Sequence, residues 1–325
     1  MAAQASLANH IRLVSMKQLK VLVLTITAMA LQCLVVLPAA AELHVTVVQG
    51  LGGNPLFDVS FTDQRHKIID ASTTMAGEDN VTVFNGEEAT RENLLAHFAA
   101  MAQTLSEEDR MAIYLIGHGS YDGEQYKFNI PGPDITDGDL DDVIGSLPGS
   151  NHFLVNTSSA SGAILDTIDT ENRIIITATR NGNEKNATEF GAFFASALAE
   201  EAADINKNNS VSIQEAFDFA ERSVAEFFES EGKLATEHPQ IRGDNSSSFN
   251  LARLELVETT SEDPRIAALL IQRQELDADI EDLQLRRNEF TNADYIQRLQ
   301  ALILESAQVS EQIDMIRNGS DVDVD

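Results

Sequence analysis

The chain has 325 residues, which is enough for two domains, one of them with a substantial core. It carries 52 acidic residues against 22 lysines and arginines, a net charge of -30. A surface this acidic repels phosphate backbones, so we predict that the protein has no nucleic-acid partner.

The N-terminus has the features of an export signal. Lys17 and Lys20 precede an apolar run over residues 21–37, and the small residues 38–41 then form a cleavage site before Glu42. We therefore predict a signal peptide over residues 1–41, with Met16 as a candidate for the true start, and an exported protein that is periplasmic or secreted. The alternative is an uncleaved anchor, because the apolar run is nearly long enough to span a bilayer. After removal of the signal, no contact with the membrane is expected.

The only cysteine of the chain, Cys33, lies inside this apolar run. A chain that has lost its signal therefore has no cysteine. Disulfides, zinc–thiolate sites and a thiol nucleophile are all excluded for such a chain. No motif indicates an organic cofactor either.

Strand and helix patterns alternate along the chain from Leu43 onward. Short runs rich in β-branched and apolar residues predict strands at 43–48, 81–84, 111–117, 153–156, 173–177 and 249–256. Helical spacing predicts helices between them at 56–76, 91–105 and 137–147. Strands separated by helices imply parallel crossovers, so we predict an α/β fold with a doubly wound, mostly parallel sheet and flanking helices.

Small polar residues follow two of these strands. The third strand ends in Gly117-His-Gly119, and the fourth is followed by Thr157-Ser-Ser-Ala-Ser-Gly162. The site of an open parallel sheet lies outside the carboxyl ends of its strands. The pattern therefore indicates a base, His118, facing a nucleophile position in the Ser-x-Ser-Gly turn. Taken by itself, His118 is more typical of a packed or capping histidine.

At these residues the sequence resembles the clan of cysteine peptidases that includes legumain and the caspases. More narrowly, residues 43–256 resemble a bacterial set of legumain-like proteins, through Gly50-Leu-Gly-Gly53, Gly117-His-Gly-Ser-Tyr-Asp-Gly123 and Leu234-Ala-Thr-Glu-His-Pro239. The resemblance implies a caspase/legumain-like fold. It also implies that His118 is the catalytic histidine, that Gly119 lends its backbone N–H to an oxyanion hole, and that Ser159 stands where the clan has its cysteine.

The serine at this position divides the functional hypotheses. A thiol tolerates a loosely placed histidine, whereas a serine hydroxyl is a far weaker acid and needs its base within hydrogen-bond reach. We predict a peptidase homologue without cysteine-peptidase activity that binds a peptide or protein ligand in its cleft. The alternatives are a hydrolase that uses Ser159 and His118, and a structural, calcium-binding protein of the cell envelope.

Two charged residues follow the strand at 173–177. Arg180 and Glu184 are candidates for lining a substrate pocket at the carboxyl edge of the sheet. A surface ion pair between them is an equally good interpretation.

Residues 204–215 match the twelve-position calcium loop of an EF-hand. Calcium prefers oxygen ligands, which this spacing would gather around one point. Asn209 replaces the usual glycine at the sharp turn, and asparagine tolerates the left-handed conformation required there. The flanking helices are predicted at 192–203 and 213–228. An Asn-rich turn between helices, capped by Ser212, is the alternative. The proposed ligands are Asp204, Asn206, Asn208, Ser210 through its carbonyl, Ser212 and Glu215.

The composition changes near Asp263. Apolar residues then recur with heptad-like spacing in two stretches that are separated by residues 288–294. We predict a domain over residues 42–258, an antiparallel helical hairpin over 263–317 and an acidic tail over 318–325. Self-association through the hairpin is a further hypothesis.

Overall fold

The computed structural model describes residues 41–149, 152–168, 173–254 and 263–317. The first 40 residues, which hold nearly all of the predicted export signal, lie outside the described residues, as does the acidic tail. None of the described helices is long and apolar enough to cross a membrane.

Strands and helices alternate through most of the described chain. The strands are β1 (Leu43–Gln49), β2 (Val81–Phe84), β3 (Arg110–Ile116), β4 (Gly119–Tyr121), β5 (Tyr126–Phe128), β6 (Ile135–Thr136), β7 (His152–Asn156), β8 (Arg173–Thr177), β9 (Ser210–Ser212), β10 (Gln240–Arg242) and β11 (Asn250–Arg253). The helices are α1 (Pro55–Ala76), α2 (Arg91–Thr104), α3 (Asp137–Ser146), α4 (Phe190–Ala197), α5 (Ile213–Ser230), α6 (Pro264–Leu285) and α7 (Asn292–Arg317).

The central sheet has six strands in the order β10-β8-β7-β3-β1-β2. Its first five strands along the chain are parallel, and β10 pairs antiparallel with β8 at one edge. Alternate residues such as Tyr114 and Phe153 pack against α1, α4 and α5 on one face. Ile113 and Leu154 pack against α2 and α3 on the other. Because helices cover both faces, the predicted doubly wound, mostly parallel sheet is confirmed.

Local capping signals set where the helices begin. Asn54 accepts hydrogen bonds from the first free backbone N–H groups of α1, and Pro55 occupies its first turn, where no N–H is needed. Thr90 caps α2. Thr136 forms a reciprocal capping box with Asp139 at the start of α3.

Two strands of the C-terminal part differ from the prediction. The predicted strand at 249–256 is observed as β11, but it pairs with β9 in a separate two-stranded sheet. The last strand of the central sheet is instead β10, which the sequence did not indicate. β10 has only three residues, Gln-Ile-Arg, and at the edge of the sheet none of them is buried. It therefore lacks the apolar run by which an interior strand is recognised.

The predicted helical hairpin is also confirmed. Ile266 and Leu270, near the start of α6, share a hydrophobic cluster with Val309 and Ile313, near the end of α7. The two helices therefore run antiparallel. All members of this cluster come from α6 and α7, so the hairpin has a core of its own within the described residues.

A chain truncated after Val257 should therefore still fold. The hairpin contributes none of the residues of the two clusters that cover the central sheet. We expect the truncated chain to unfold cooperatively with heat, as followed by circular dichroism. A chain truncated after Leu285 is the control, because it keeps the apolar stripe of α6 without its partner and should aggregate. Non-cooperative melting of the shorter chain would show that the domain depends on the hairpin.

Candidate functional site

His118 and Ser159 lie at the carboxyl edge of the central sheet. His118 is two residues beyond the end of β3, and Ser159 is three beyond the end of β7. These strands are parallel neighbours, with Leu115 paired to Asn156. Neighbouring strands are about 4.8 Å apart, so the fold brings the two segments to the same place.

The His118 ring is held on three sides. Its Nε2 lies 3.2 Å from the carbonyl oxygen of Gly52, which can only accept a hydrogen bond, so Nε2 carries the proton. Phe57 and Phe61 contact the ring edge-on, with centroids 4.5 Å and 5.1 Å away. In the neutral ring Nδ1 is therefore the nitrogen left to accept a proton. A backbone carbonyl orients this imidazole, as a third group orients the base of a catalytic triad.

Ser159 lies in a buried turn. The residue is 4% exposed, and among the described residues its hydroxyl takes part in no hydrogen bond. The next residue, Ala160, has a φ of +56°, and its N–H donates to the carbonyl of Glu184 at 2.8 Å. The N–H of Gly162 donates to the Thr179 hydroxyl at 2.8 Å. The loop that follows β8 thus determines the shape of the turn, and His118 is not hydrogen-bonded to it.

Gly119 packs directly on this turn. A methyl group on its Cα would overlap the carbonyl oxygen of Ser159 and the hydroxyl of Ser158. Ser158 itself belongs to a buried network, in which its hydroxyl lies 2.6 Å from the Tyr126 hydroxyl and donates to Asn156 at 2.8 Å. Burial raises the pKa of Tyr126 well above its usual range. Ser158 is therefore held by structural contacts, whereas the Ser159 hydroxyl is not.

Arg180 and Glu184 form the ion pair that was one of the two interpretations of the sequence, with 3.4 Å between Nη2 and Oε1. The same carboxylate also accepts the Arg180 N–H at 2.8 Å and the His238 N–H at 3.1 Å. The Nδ1 of His238 lies 2.6 Å from it. The carbonyl of Glu184 also accepts the Ala160 N–H. Glu184 therefore connects the Ser159 turn, the Arg180 loop and the His238 segment.

Glu237 belongs to the same region and was missed by sequence reasoning. It is 2% exposed and accepts hydrogen bonds from the N–H groups of Glu189 and Phe190, at the start of α4. Burial, followed by repulsion from Glu189 and Glu184, raises its pKa to about 7. A glutamate next to a histidine and a proline gives no local sign of such burial.

A pocket of about 440 Å³ lies beside the His118 segment. It is formed by residues 50–55, which follow β1, together with Gln49, Asp58, Gly86 and Pro131. The carbonyl of Gly52, one of the lining residues, is the group that holds His118. The pocket thus continues the carboxyl edge of the sheet beyond His118, on the side away from Ser159.

Solved structures with a similar fold include a caspase-1 from Spodoptera frugiperda, with 12% identity and a TM-score of 0.42 over 67% of this chain and 92% of the caspase. A structural-genomics target from Geobacter sulfurreducens has 12% identity and a TM-score of 0.44, over 66% of this chain and 98% of its own. No known family profile and no curated protein matches the sequence. Likenesses this distant assign no activity to the chain.

The 204–215 loop has turns at the positions that the calcium motif requires. Asn209, in place of glycine, has a φ of +62°. The Asp204 carboxylate accepts the N–H groups of Asn208 and Asn209. One oxygen of Glu215 accepts hydrogen bonds from the N–H groups of residues 205 and 206. The other accepts hydrogen bonds from the backbone N–H and the side-chain O–H of Ser212. Both carboxylates therefore point into the loop.

The remaining predicted ligands lie around the same loop. Asn206 accepts the Asn208 N–H, and Asn208 accepts the Ser210 N–H. Ser210 and Ser212 are buried at the two ends of β9. The exiting helix matches α5, but the entering helix was predicted too long, since α4 ends at Ala197 and turns follow it. Within the described residues, no group of three or more His, Cys, Asp or Glu side chains is placed to hold a metal ion.

Proposed function

We propose that this protein is an exported homologue of the legumain and caspase peptidases that binds a peptide or protein segment in its cleft without cleaving it. The observation that supports this most strongly is that the two reacting groups, His118 and Ser159, share no hydrogen bond in the described part of the chain. Nε2 of His118 is bound to Gly52, and the Ser159 hydroxyl has no hydrogen bond among the described residues. A serine nucleophile needs its base within hydrogen-bond reach.

The arrangement of these segments favours a binding role. The Ser159 turn, His118 and the pocket follow β7, β3 and β1, which are adjacent strands, so they lie side by side along the carboxyl edge of the sheet. Rigid strands position all of these segments. An extended peptide lying across them could contact a serine turn, an imidazole and a pocket without a chemical step.

Fluorophosphonate labelling tests this proposal, because the reagent modifies only activated serines. We expect no labelling of Ser159 in the purified protein, with trypsin as the positive control. If Ser159 is labelled, and His118→Ala abolishes the labelling, the protein is a hydrolase and the proposal is wrong. One observation favours that alternative: the Gly52 carbonyl orients the imidazole so that Nδ1 can accept a proton. Ser158→Ala is a matched control for loss of a neighbouring hydroxyl.

We also propose that residues 204–215 bind calcium. The buried carboxylates of Asp204 and Glu215 support this, because a cation would neutralise two charges enclosed by one short loop. With only two carboxylates among its ligands, the loop should bind weakly, in the range of about 10⁻⁴–10⁻³ M that is typical of extracellular modules. Such a site would stabilise the fold without taking part in the chemistry of the cleft.

Calorimetric titration with millimolar calcium should show binding heat for the native protein and almost none for Glu215→Gln. The substitution removes one of the two charged ligands, at the position where an EF-hand loop chelates calcium with both carboxylate oxygens. Glu221→Gln, an exposed position on the same helix, is the control and should bind like the native protein. Equal heats from the native protein and Glu215→Gln would mean that the loop is only a turn.

Self-association through the hairpin is supported by four exposed apolar side chains on α6 and α7, namely Ile271, Ile296, Ile303 and Leu304. Exposed apolar residues on a helical hairpin are typical of helix-to-helix contacts between chains. Sedimentation velocity tests whether the hairpin causes self-association. The full chain should sediment faster as its concentration rises, and the chain truncated after Val257 should not.

A further inference from the structure

We propose that the pocket beside β1 and β2 binds a lysine or arginine side chain of the peptide held in the cleft. This inference rests on the proposed binding function and adds the chemical class of the ligand. Three properties of the pocket support it: its hydrogen-bonding groups, its charge and the exposed apolar side chains in and next to its lining.

The hydrogen-bonding groups of the pocket include an acceptor without a donor. The Nε2 of Gln49 donates a hydrogen bond to the Thr62 hydroxyl at 3.5 Å. Its Oε1 is buried without a hydrogen-bond partner among the described residues. Leaving such an atom unpaired is unfavourable. Asp58 adds a carboxylate, whose Oδ1 packs against the Cα of Gly52. Because the Gln49 Oε1 is buried, the acceptor that a ligand reaches in the pocket is the Asp58 carboxylate, and the side chain that satisfies it is a donor.

The charge of the pocket lining is negative. Asp58 is exposed in the lining, and Glu87 and Glu88 follow Gly86, another lining residue. No lysine, arginine or histidine is among the residues that line it. The N–H groups at the start of α1 offer no competing anion site, since Asn54 caps them and Pro55 has none. A cation is therefore the complementary ligand.

Exposed apolar side chains lie in the pocket lining and next to it in the sequence. Leu51, which lines the pocket, is 48% exposed, and Leu56 and Val59, each adjacent in sequence to a lining residue, are 84% and 70% exposed. The long aliphatic stems of lysine and arginine pack well on such surfaces while their charged ends bind acceptors. This combination distinguishes a basic side chain from a small cation, which would gain nothing from these apolar side chains.

The sheet also sets the spacing of the bound peptide. β7 and β1 are separated by β3, so the Ser159 turn and the pocket are about two strand spacings, or roughly 10 Å, apart. An extended peptide advances about 3.3 Å per residue. The basic residue therefore lies about three residues from the residue over Ser159.

Octapeptide pools with one fixed position test this inference. The fixed residue is arginine, citrulline or glutamate, and the other positions carry a mixture of uncharged residues. Retention on the immobilised full chain at 0.15 M salt is measured by mass spectrometry. We expect the arginine pool to be retained about fivefold more than the citrulline pool, which has nearly the same shape without the charge. Asp58→Asn should remove this preference.

Asp70→Asn, an exposed acid on the same helix about 18 Å away, is the matched control and should keep the preference. Leu56→Ser should lower the retention of all pools, while the ratio of arginine-pool to citrulline-pool retention stays the same. Equal retention of the arginine and citrulline pools, together with protection of the Ser159 turn from hydrogen exchange, would overturn the basic pocket but leave the binding function intact. Retention of no pool at millimolar concentration would overturn both.

Discussion

Gly162→Ala should lower the free energy of unfolding by about 3 kcal/mol. A Cβ at Gly162 would overlap backbone atoms of Thr179, Arg180 and Asn181 in the loop that follows β8. Backbone atoms cannot move aside as the end of a flexible side chain can, so the overlap must be relieved by shifting one segment away from the other, which puts the cost at the upper end of the usual range for overpacking. The shift would also break the hydrogen bond from the Gly162 N–H to the Thr179 hydroxyl.

Urea denaturation measures this effect, with Gly145→Ala as the control. Gly145 lies in α3, and a Cβ there would meet no atom within 4 Å. The same substitution should therefore be neutral, or stabilising by up to about 1 kcal/mol because alanine favours the helix. If both variants were equally stable, the Ser159 turn would not be packed against the Arg180 loop as described. The turn would then be free to adjust its distance from His118.

Glu237→Gln should change how the stability of the protein depends on pH. The folded-state pKa of about 7 is above the ordinary value of 4.5, so between these values the folded protein binds more protons than the unfolded chain. The contribution of Glu237 to stability is therefore fully present below pH 4.5 and is lost as the pH rises to 7. The loss amounts to about 3 kcal/mol.

Glutamine does not ionise, and it keeps one oxygen to accept the Glu189 N–H but loses the oxygen that accepts the Phe190 N–H at 3.3 Å. The loss of this hydrogen bond is an offset in stability that does not depend on pH, so between pH 4.5 and pH 8 the stability of the variant should rise by up to about 3 kcal/mol relative to that of the native protein. Urea titrations across this range give the difference, in which all other titrating groups cancel. Glu226→Gln changes an exposed position of α5, and its stability should change with pH in parallel to that of the native protein. A parallel curve for Glu237→Gln itself would contradict the raised pKa.

Much of the fold could be predicted because its signals are local. The buried strand β3 is a continuous apolar run, and α2 begins at the Thr90 cap that its sequence indicates. The helical hairpin was visible in two apolar stripes. The edge strand β10 and the pairing of β11 with β9 were not predictable in this way, because short edge strands and the choice of a partner strand leave no periodic pattern.

The features of the candidate site also fall into two groups, those that the sequence indicates and those that depend on the tertiary structure. The sequence alone determined that His118 and Ser159 follow strands of a parallel sheet, that no cysteine lies beyond Cys33, and that residues 204–215 have the spacing of a calcium loop. Only the tertiary structure decided that Gly52 holds the imidazole, that Glu184 joins the Ser159 turn to His238, and that Glu237 is buried. Gly52 and His118 are 66 residues apart, and Glu184 and His238 are 54 apart. Such contacts depend on how strands and loops are brought together in space, for which a short stretch of sequence carries no signal.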